Sequence, residues 1–256
     1  LKDIRNRLGL VILIASLTLV LTSCSRTPAG TTGNSLGDLE PVESAVVTPE
    51  SEEATASLQE SPAPKEATPV EPLVIDGFVK VTDIDSSIVV DLRYATADNF
   101  TGQKVYPTDT CVLRLPTARK LARANAAVSK LGYRIKVWDA YRPVSVQEIF
   151  WSVYPDSRYV ANPSTGGSIH NRGCAVDVTL VDLNGVELVM PSAFDDFSAQ
   201  ASPSNPSMSA EARANLDILR NAMIDAGFRN STSEWWHYSD TDARDYPIAE
   251  IDLSLF

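Results

Sequence analysis

The chain holds two histidines, His170 and His237, and each stands near carboxylates at spacings suited to metal chemistry. The stretch Ser168-Ile169-His170-Asn171-Arg172-Gly173-Cys174-Ala175-Val176-Asp177 places a carboxylate seven residues after an imidazole. Glu234-Trp235-Trp236-His237-Tyr238 places a glutamate three residues before the other. A catalytic zinc takes three protein ligands and keeps a fourth position open. His170, Asp177 and His237 meet that count, and Glu234 is left over as a base.

The elements carrying these residues must bend. An unbroken strand would hold His170 and Asp177 roughly 23 Å apart and on opposite faces. Asn171-Arg172-Gly173 must therefore fold the chain back, with Gly173 free to take a positive φ. Glu234 and His237 would also face opposite ways on a straight strand, so a bend or bulge near Trp235 is required. Trp235 and Trp236 themselves read as packing, because two large rings mostly bury area.

Around these stretches the pattern predicts strands at Phe78 to Val81, Ile88 to Tyr94, Tyr133 to Trp138, Cys174 to Leu180 and Trp235 to Tyr238. On the Cys174–Leu180 strand, Val176 and Val178 share one face, with Ala175, Asp177 and Thr179 on the other. Asn184-Gly185 reads as a hairpin turn returning through Val186 to Val189. Helices are expected over Pro116 to Leu131, Ser145 to Val153 and Ala210 to Ala226. The first carries the stripe Leu121, Ala124, Val128 and Leu131; the last has Ser209 as N-cap and Gly227 as stop. The class is α+β, a mainly antiparallel sheet flanked by helices.

Residues 1–23 read as an export signal. Lys2, Arg5 and Arg7 precede an apolar run from Leu8 to Val20, too short for a comfortable membrane span. Leu21-Thr22-Ser23-Cys24 resembles the lipobox of bacterial lipoproteins, which implies lipid on Cys24 and an exported protein held to the membrane through that anchor only. Residues 24–75 lack aromatic residues and periodicity and are rich in Thr, Ser, Pro, Ala and Glu, a composition expected to stay disordered as a linker. The folded domain is then 76–256.

The net charge is −11, of which nine acids against Arg26 and Lys65 place −7 in residues 25–75. The domain is acidic too, which argues against nucleic acid as a partner, since that needs a basic footprint. With Cys24 acylated, Cys111 and Cys174 remain, and an oxidising compartment permits a disulfide between them or two separate buried thiols.

Ser168-x-His170-x-x-Gly173-x-Ala175-x-Asp177 with Glu234-Trp235-Trp236-His237 resembles the D-alanyl-D-alanine dipeptidases of the vancomycin-resistance type, within the zinc D,D-peptidase superfamily. The likeness extends to Tyr94–Gly102, Trp138-Asp139-Ala140-Tyr141-Arg142-Pro143 and Phe194-Asp195-Asp196-Phe197. It departs at Cys174, where a small residue is usual, and at the lipoprotein-like N-terminus. The resemblance implies the zinc D,D-peptidase (hedgehog-like) fold and one Zn²⁺ per chain on His170, Asp177 and His237. It also implies that Glu234 is the catalytic base and that Arg142 stabilises the oxyanion, where a salt bridge to Asp139 is the structural alternative. Asp195 then binds the ammonium of a small D,D-dipeptide, with Asp196 as an alternative, and Tyr94 and Ser168 belong to the substrate pocket.

Three functions follow from that resemblance. The first is a D-Ala-D-Ala dipeptidase, favoured by the Phe194-Asp195 amine site. The second is a D,D-carboxypeptidase trimming peptidoglycan stem peptides, favoured by export. The third is a non-catalytic zinc-containing lipoprotein, which would need neither Glu234 nor Arg142.

Overall fold

The computed structural model describes residues 71–256. The predicted signal, lipidation site and most of the linker lie outside that range. Eleven regular elements follow in order: β1 (Phe78–Lys80), α1 (Val81–Ile84), β2 (Val89–Val90), β3 (Val112–Arg114), α2 (Leu115–Ser129), β4 (Tyr133–Asp139), α3 (Val144–Val153), β5 (Ala175–Asp182), α4 (Ala210–Asp225), β6 (Phe228–Asn230) and β7 (His237–Asp240). One sheet runs β2-β4-β5-β7-β6, and β1 pairs with β3 in a second. Only β2 with β4 is parallel; the other pairings are antiparallel. The architecture is α+β, as expected. Among the described residues no helix is long and apolar enough to cross a membrane.

The helices form where the stripes predict. Pro116 occupies the first turn of α2, where its missing N–H costs nothing. Leu121, Ala124 and Val128 are buried in one cluster with Leu216, Leu219 and Met223 of α4 and with Val176, Val178 and Leu180 of β5. Ser209 caps α4 by accepting from Ala212 N–H at 3.0 Å. Leu131, expected on the α2 stripe, is instead 59% exposed. The helix ends at Ser129, and the tight turn through Gly132 at φ +83° carries Leu131 off the buried face.

Three strands differ from expectation. The segment expected as Ile88–Tyr94 keeps only Val89–Val90 as strand, and Arg93–Ala95 winds into a 3-10 turn. That turn buries Tyr94 rather than leaving it alternating along a sheet edge. Asn184-Gly185 does reverse the chain after β5, but the return makes one bridge, Val181 with Glu187, and no strand. Asp182 caps that reversal through Asn184 N–H and Val186 N–H, which draws the chain out of ladder register. Finally, β7 starts at His237, because Trp235 and Trp236 lie in a turn.

Of the two alternatives for the remaining cysteines the structure has the second: Cys111 and Cys174 are both free and buried. Arg114 N–H donates to Gly173 C=O, so Cys174 lies beside the far end of β3. Cys111 stands three residues earlier, roughly 10 Å of strand away, whereas a bridge needs Cα atoms within about 7 Å. Cys174 Sγ turns to Arg172 C=O at 3.4 Å instead. Burial pushes its thiol up to about 11 and raises that of Cys111 further, so both stay protonated.

Candidate metal centre and its pocket

His170 sits in a 3-10 turn, Ile169–Arg172, that reverses the chain just before β5. Ser168 opens the turn by accepting from His170 N–H at 3.2 Å, and Asn171 Oδ1 accepts Ser168 N–H at 2.7 Å. Gly173 closes it at φ +71°. A Cβ there would also meet Phe78 Cε1 at 2.2 Å, so the position excludes side chains twice over. The fold-back demanded by the His170–Asp177 spacing is thus built as expected.

Asp177 and His237 are cross-strand partners in the antiparallel β5–β7 pair, so their side chains leave the same face. The bend expected near Trp235 is the turn before β7, where His237 N–H approaches Glu234 C=O at 3.4 Å. Asn230 braces it from β6, its amide reaching the carbonyls of Glu234, Trp235 and His237 at 3.3, 3.3 and 3.0 Å. Glu234 is thereby turned to the same cavity as His237.

Three ligand atoms converge. His170 Nε2 lies 3.1 Å from His237 Nδ1 and 3.3 Å from Asp177 Oδ1, and His237 Nδ1 lies 2.9 Å from that oxygen. Tetrahedral zinc with bonds of about 2.0–2.1 Å separates its ligands by roughly 3.3 Å. The outward nitrogens are occupied: His170 Nδ1–H donates to Ala140 C=O at 2.7 Å, and His237 Nε2 pairs with Ser239 Oγ at 3.1 Å. That bond to a carbonyl fixes the tautomer of neutral His170 with its Nε2 lone pair facing inward, the arrangement metal-ligating histidines use. Lone pairs this close repel unless a cation stands among them, so the donor set fits the metal.

The surrounding charges are ordered by one carboxylate that the sequence reading treated only as an alternative partner for Arg142. Asp139, fully buried at the end of β4, receives Tyr106 OH and Ala140 N–H on one oxygen and Arg142 on the other. Its second oxygen also stands 3.5 Å from His170 Nδ1. Arg142 therefore makes the salt bridge that was its alternative role and lines the pocket as well. Its Nη1 donates to the buried Gln147 Oε1 at 2.8 Å. Burial opposes its charge, but Asp139 holds it protonated well above its ordinary range. Asp177, despite burial, is held well below the carboxylate range by His170 and His237.

Two other carboxylates are pushed the opposite way. Burial raises Glu234 to about 8, with His237 only partly offsetting it. Burial raises Asp195 to about 7, against the lowering effect of Tyr94, whose hydroxyl donates to its two oxygens at 2.9 and 3.2 Å. Asp195 is held at φ +58°, in the left-handed region, and lines the cavity, whereas its neighbour Asp196 does not. Sites that need acids and bases collect such displaced carboxylates.

The structure brings the proposed metal ligands, Glu234, Arg142, Asp195, Tyr94 and Ser168 to one cavity of ≈ 250 Å³. The sequence named Asp139 only as the alternative partner of Arg142, while Gln147 and Asn230 escaped it. The spacing Asp139-x-x-Arg142 was a usable signal for the first; Gln147 stands five residues from Arg142, and Asn230 four to seven from Glu234, Trp235 and His237, but no residue pattern there marks either amide as a brace.

Residues 75–252 match the peptidase family described as D-ala-D-ala dipeptidase. The chain is 34% identical over 179 residues to the D-alanyl-D-alanine dipeptidase of Escherichia coli (strain K12), covering 70% of this chain and 92% of that protein. It is 32% identical over 203 residues to the D-alanyl-D-alanine dipeptidase of Enterococcus faecium, covering 70% and 98%. Among solved structures, a mutant vancomycin-resistance D,D-pentapeptidase in complex with Zn(II) overlaps 52% of this chain and 75% of its own, at a TM-score of 0.33 and 16% identity. An overlap that slight bears on neither fold nor site.

Proposed function

The chain belongs to the D-ala-D-ala dipeptidase family of peptidases, and from that premise we propose that His170, Asp177 and His237 hold Zn²⁺ for hydrolysis of D-Ala-D-Ala to two D-alanines. The observation that carries the assignment is the convergence of three ligand atoms within 4.8 Å of one another beside a carboxylate kept protonatable. Bound zinc supplies Lewis acidity and brings a water's pKa toward neutrality.

The chain's own residues do the rest. Glu234 takes a proton from the attacking water and returns it to the leaving amine, the two-way transfer that suits a carboxylate whose affinity for protons is raised. Nearby positive charge draws its pKa down from the metal-free value and readies it as a base. Arg142 spends three N–H groups on Asp139 and Gln147, and two of its five remain for the carbonyl oxygen as charge develops there. Asp195, aligned by Tyr94, pairs with the dipeptide's ammonium, and Ser168 lines the pocket while its hydroxyl accepts the His170 backbone N–H and holds the turn.

Dipeptide hydrolysis measured with and without a chelator tests this reading, alongside elemental analysis for about one zinc per chain. Full activity in demonstrably metal-free protein sinks it. We further propose export and lipid attachment at Cys24, supported by the lipobox-like Leu21–Cys24, which would place the activity at the cell wall. Metabolic labelling with a fatty-acid probe should mark the wild type and not Cys24→Ser; an unmarked wild type rejects the anchor.

A further inference from the structure

After β7 the chain forms only two short 3-10 turns, Ala243–Asp245 and Leu253–Leu255. Residues 246–256 nevertheless lie closely against the back of the turn that carries His170. The C=O of the fully buried Asn171 accepts Ala249 N–H at 2.9 Å, and Arg172 Nη1 donates to Tyr246 C=O. Arg114 Nε donates to Arg172 C=O at 2.9 Å while its guanidinium covers the Tyr246 ring at 4.8 Å. Ile248 extends the contact to the pocket wall, where a Cβ on Gly167 would meet its Cδ1 at 3.3 Å. Tyr141 pins the segment: its hydroxyl donates to Ala249 C=O at 3.0 Å and accepts Ile251 N–H at 2.9 Å.

Tyr141 stands between two residues that touch the site. Ala140 C=O takes the Nδ1–H of His170, and the Arg142 backbone N–H donates to His170 C=O at 3.2 Å. Asn171 closes the circuit, its Nδ2 donating to Arg142 C=O at 2.8 Å. Residues 140–142 follow the end of β4, outside its ladder, so their position depends on single bonds of this kind. We propose that Tyr141 is a positioning residue: through its hydroxyl, residues 246–256 clamp the 140–142 segment to the metal turn and so fix the aim of His170 Nε2 and of the Arg142 guanidinium. Without the hydroxyl the tail loses its hold on that segment, and the buried Asn171 C=O is left to lose its donor. A working site holds its groups to within about 0.5 Å. Partners one bond removed from a metal ligand are typically worth roughly 10–100-fold in metal affinity or activity, and Tyr141, one bond further out, belongs at the low end of that range.

The inference rests on the reading of His170 as a zinc ligand, and its test keeps the two apart. Zinc-loaded wild type, Tyr141→Phe, Ala249→Pro and the double variant are compared for zinc release to a chromogenic chelator, for kcat and KM on D-Ala-D-Ala, and for the Tm of the metal-free protein. Tyr141→Phe keeps the ring that packs edge-on against Phe78 at 5.1 Å, and Ala249→Pro removes the N–H that reaches Asn171. Each single variant should release zinc about tenfold faster and lose about tenfold in kcat, with KM changed less than about twofold because the dipeptide's own contacts are untouched. The double variant should be no worse than the worse single one, since both open the same clamp. A Tyr141 that serves packing alone would lower the metal-free Tm and leave zinc release and kcat at wild-type values; that result overturns the proposal. So do an effect confined to KM and fully additive losses in the double variant. A wild type that holds zinc without cleaving the dipeptide loses the parent function, and the release rates still decide the clamp. A wild type that holds no zinc removes both. Should Ala249→Pro fail to fold, Tyr141→Phe, which loses a single oxygen atom, decides alone.

Discussion

Val176, Val178 and Leu180 leave one face of β5 and join Leu121 and Val128 of α2 and Leu216 and Leu219 of α4 in an apolar cluster. Asp177 and Thr179 leave the other face and line two cavities walled by loops. Every residue of β5 from Ala175 to Val181 is buried, so burial alone does not tell the faces apart. What differs is satisfaction. The helix-side face needs nothing beyond shape, while the loop-side face holds charges compensated by other charges and donors that lack partners, Thr179 O–H among them. A strand buried on both sides can thus support a fold with one face and spend stability on chemistry with the other.

The comparison breaks most visibly at adjacent positions. Val178→Asp puts an unpaired charge into the helix-side cluster, a cost of several kcal/mol that belongs to the severe class; the protein should fail to give a cooperative thermal transition. Asp177→Ala on the opposite face should fold, bind little zinc and lose essentially all dipeptide hydrolysis. Retained zinc and activity in the second variant, read by elemental analysis and turnover, would remove Asp177 from the site.

Within the loop-side face the next largest effects concern proton movement and charge. Glu234→Gln should keep zinc and lose turnover by about 10²–10⁴. Arg142→Lys should lose about 10²–10³ in kcat, because an ammonium cannot replace the planar fork that holds Asp139 and Gln147 together. Near-wild-type kcat in either rejects its role.

These asymmetries explain what could be read from residue order. The helix-side face was legible because periodicity reports burial: Val176 with Val178, and Leu121, Ala124 and Val128 of α2, came out as expected. The approach of His170 to Asp177 was legible because the turn between them is local, with Gly173 as the one residue fitting a positive φ against Phe78. The return after Asn184-Gly185 was misread because Asp182 caps the reversal, a side-chain effect that alternation does not encode. Asp139 was legible only as the alternative partner of Arg142, and Gln147 was missed, since their joint role arises only when Arg142 folds over them. The clamp at Tyr141 is more distant still, assembled from Tyr141, Asn171 and Ala249 across three separate segments.

A smaller effect separates the faces by pH. Asp195 carries a carboxyl pushed up to about 7 by burial, from an ordinary value of 3.8. A carboxyl whose pKa is raised on folding binds its proton more tightly in the folded state. The folded state is then favoured below about pH 4 and loses that advantage as pH rises to about 7. Asp195→Asn should therefore raise the Tm of chelator-stripped protein at pH 8 and leave it nearly unchanged at pH 4. Val178→Ala, which only deletes buried methyl groups, should lower Tm by a similar amount at both pH values, about 2–4 °C per kcal/mol lost. The activity should move the other way. Pairing with the dipeptide's ammonium needs an ionised Asp195, so wild-type kcat/KM should fall as pH drops below about 7, and Asp195→Asn should be slower throughout and lose that limb. A variant that gains stability at pH 8 and loses dipeptide turnover places Asp195 among groups kept for chemistry at a cost to the fold. A pH-independent Tm shift would mean that Asp195, like Val178, is there for packing alone.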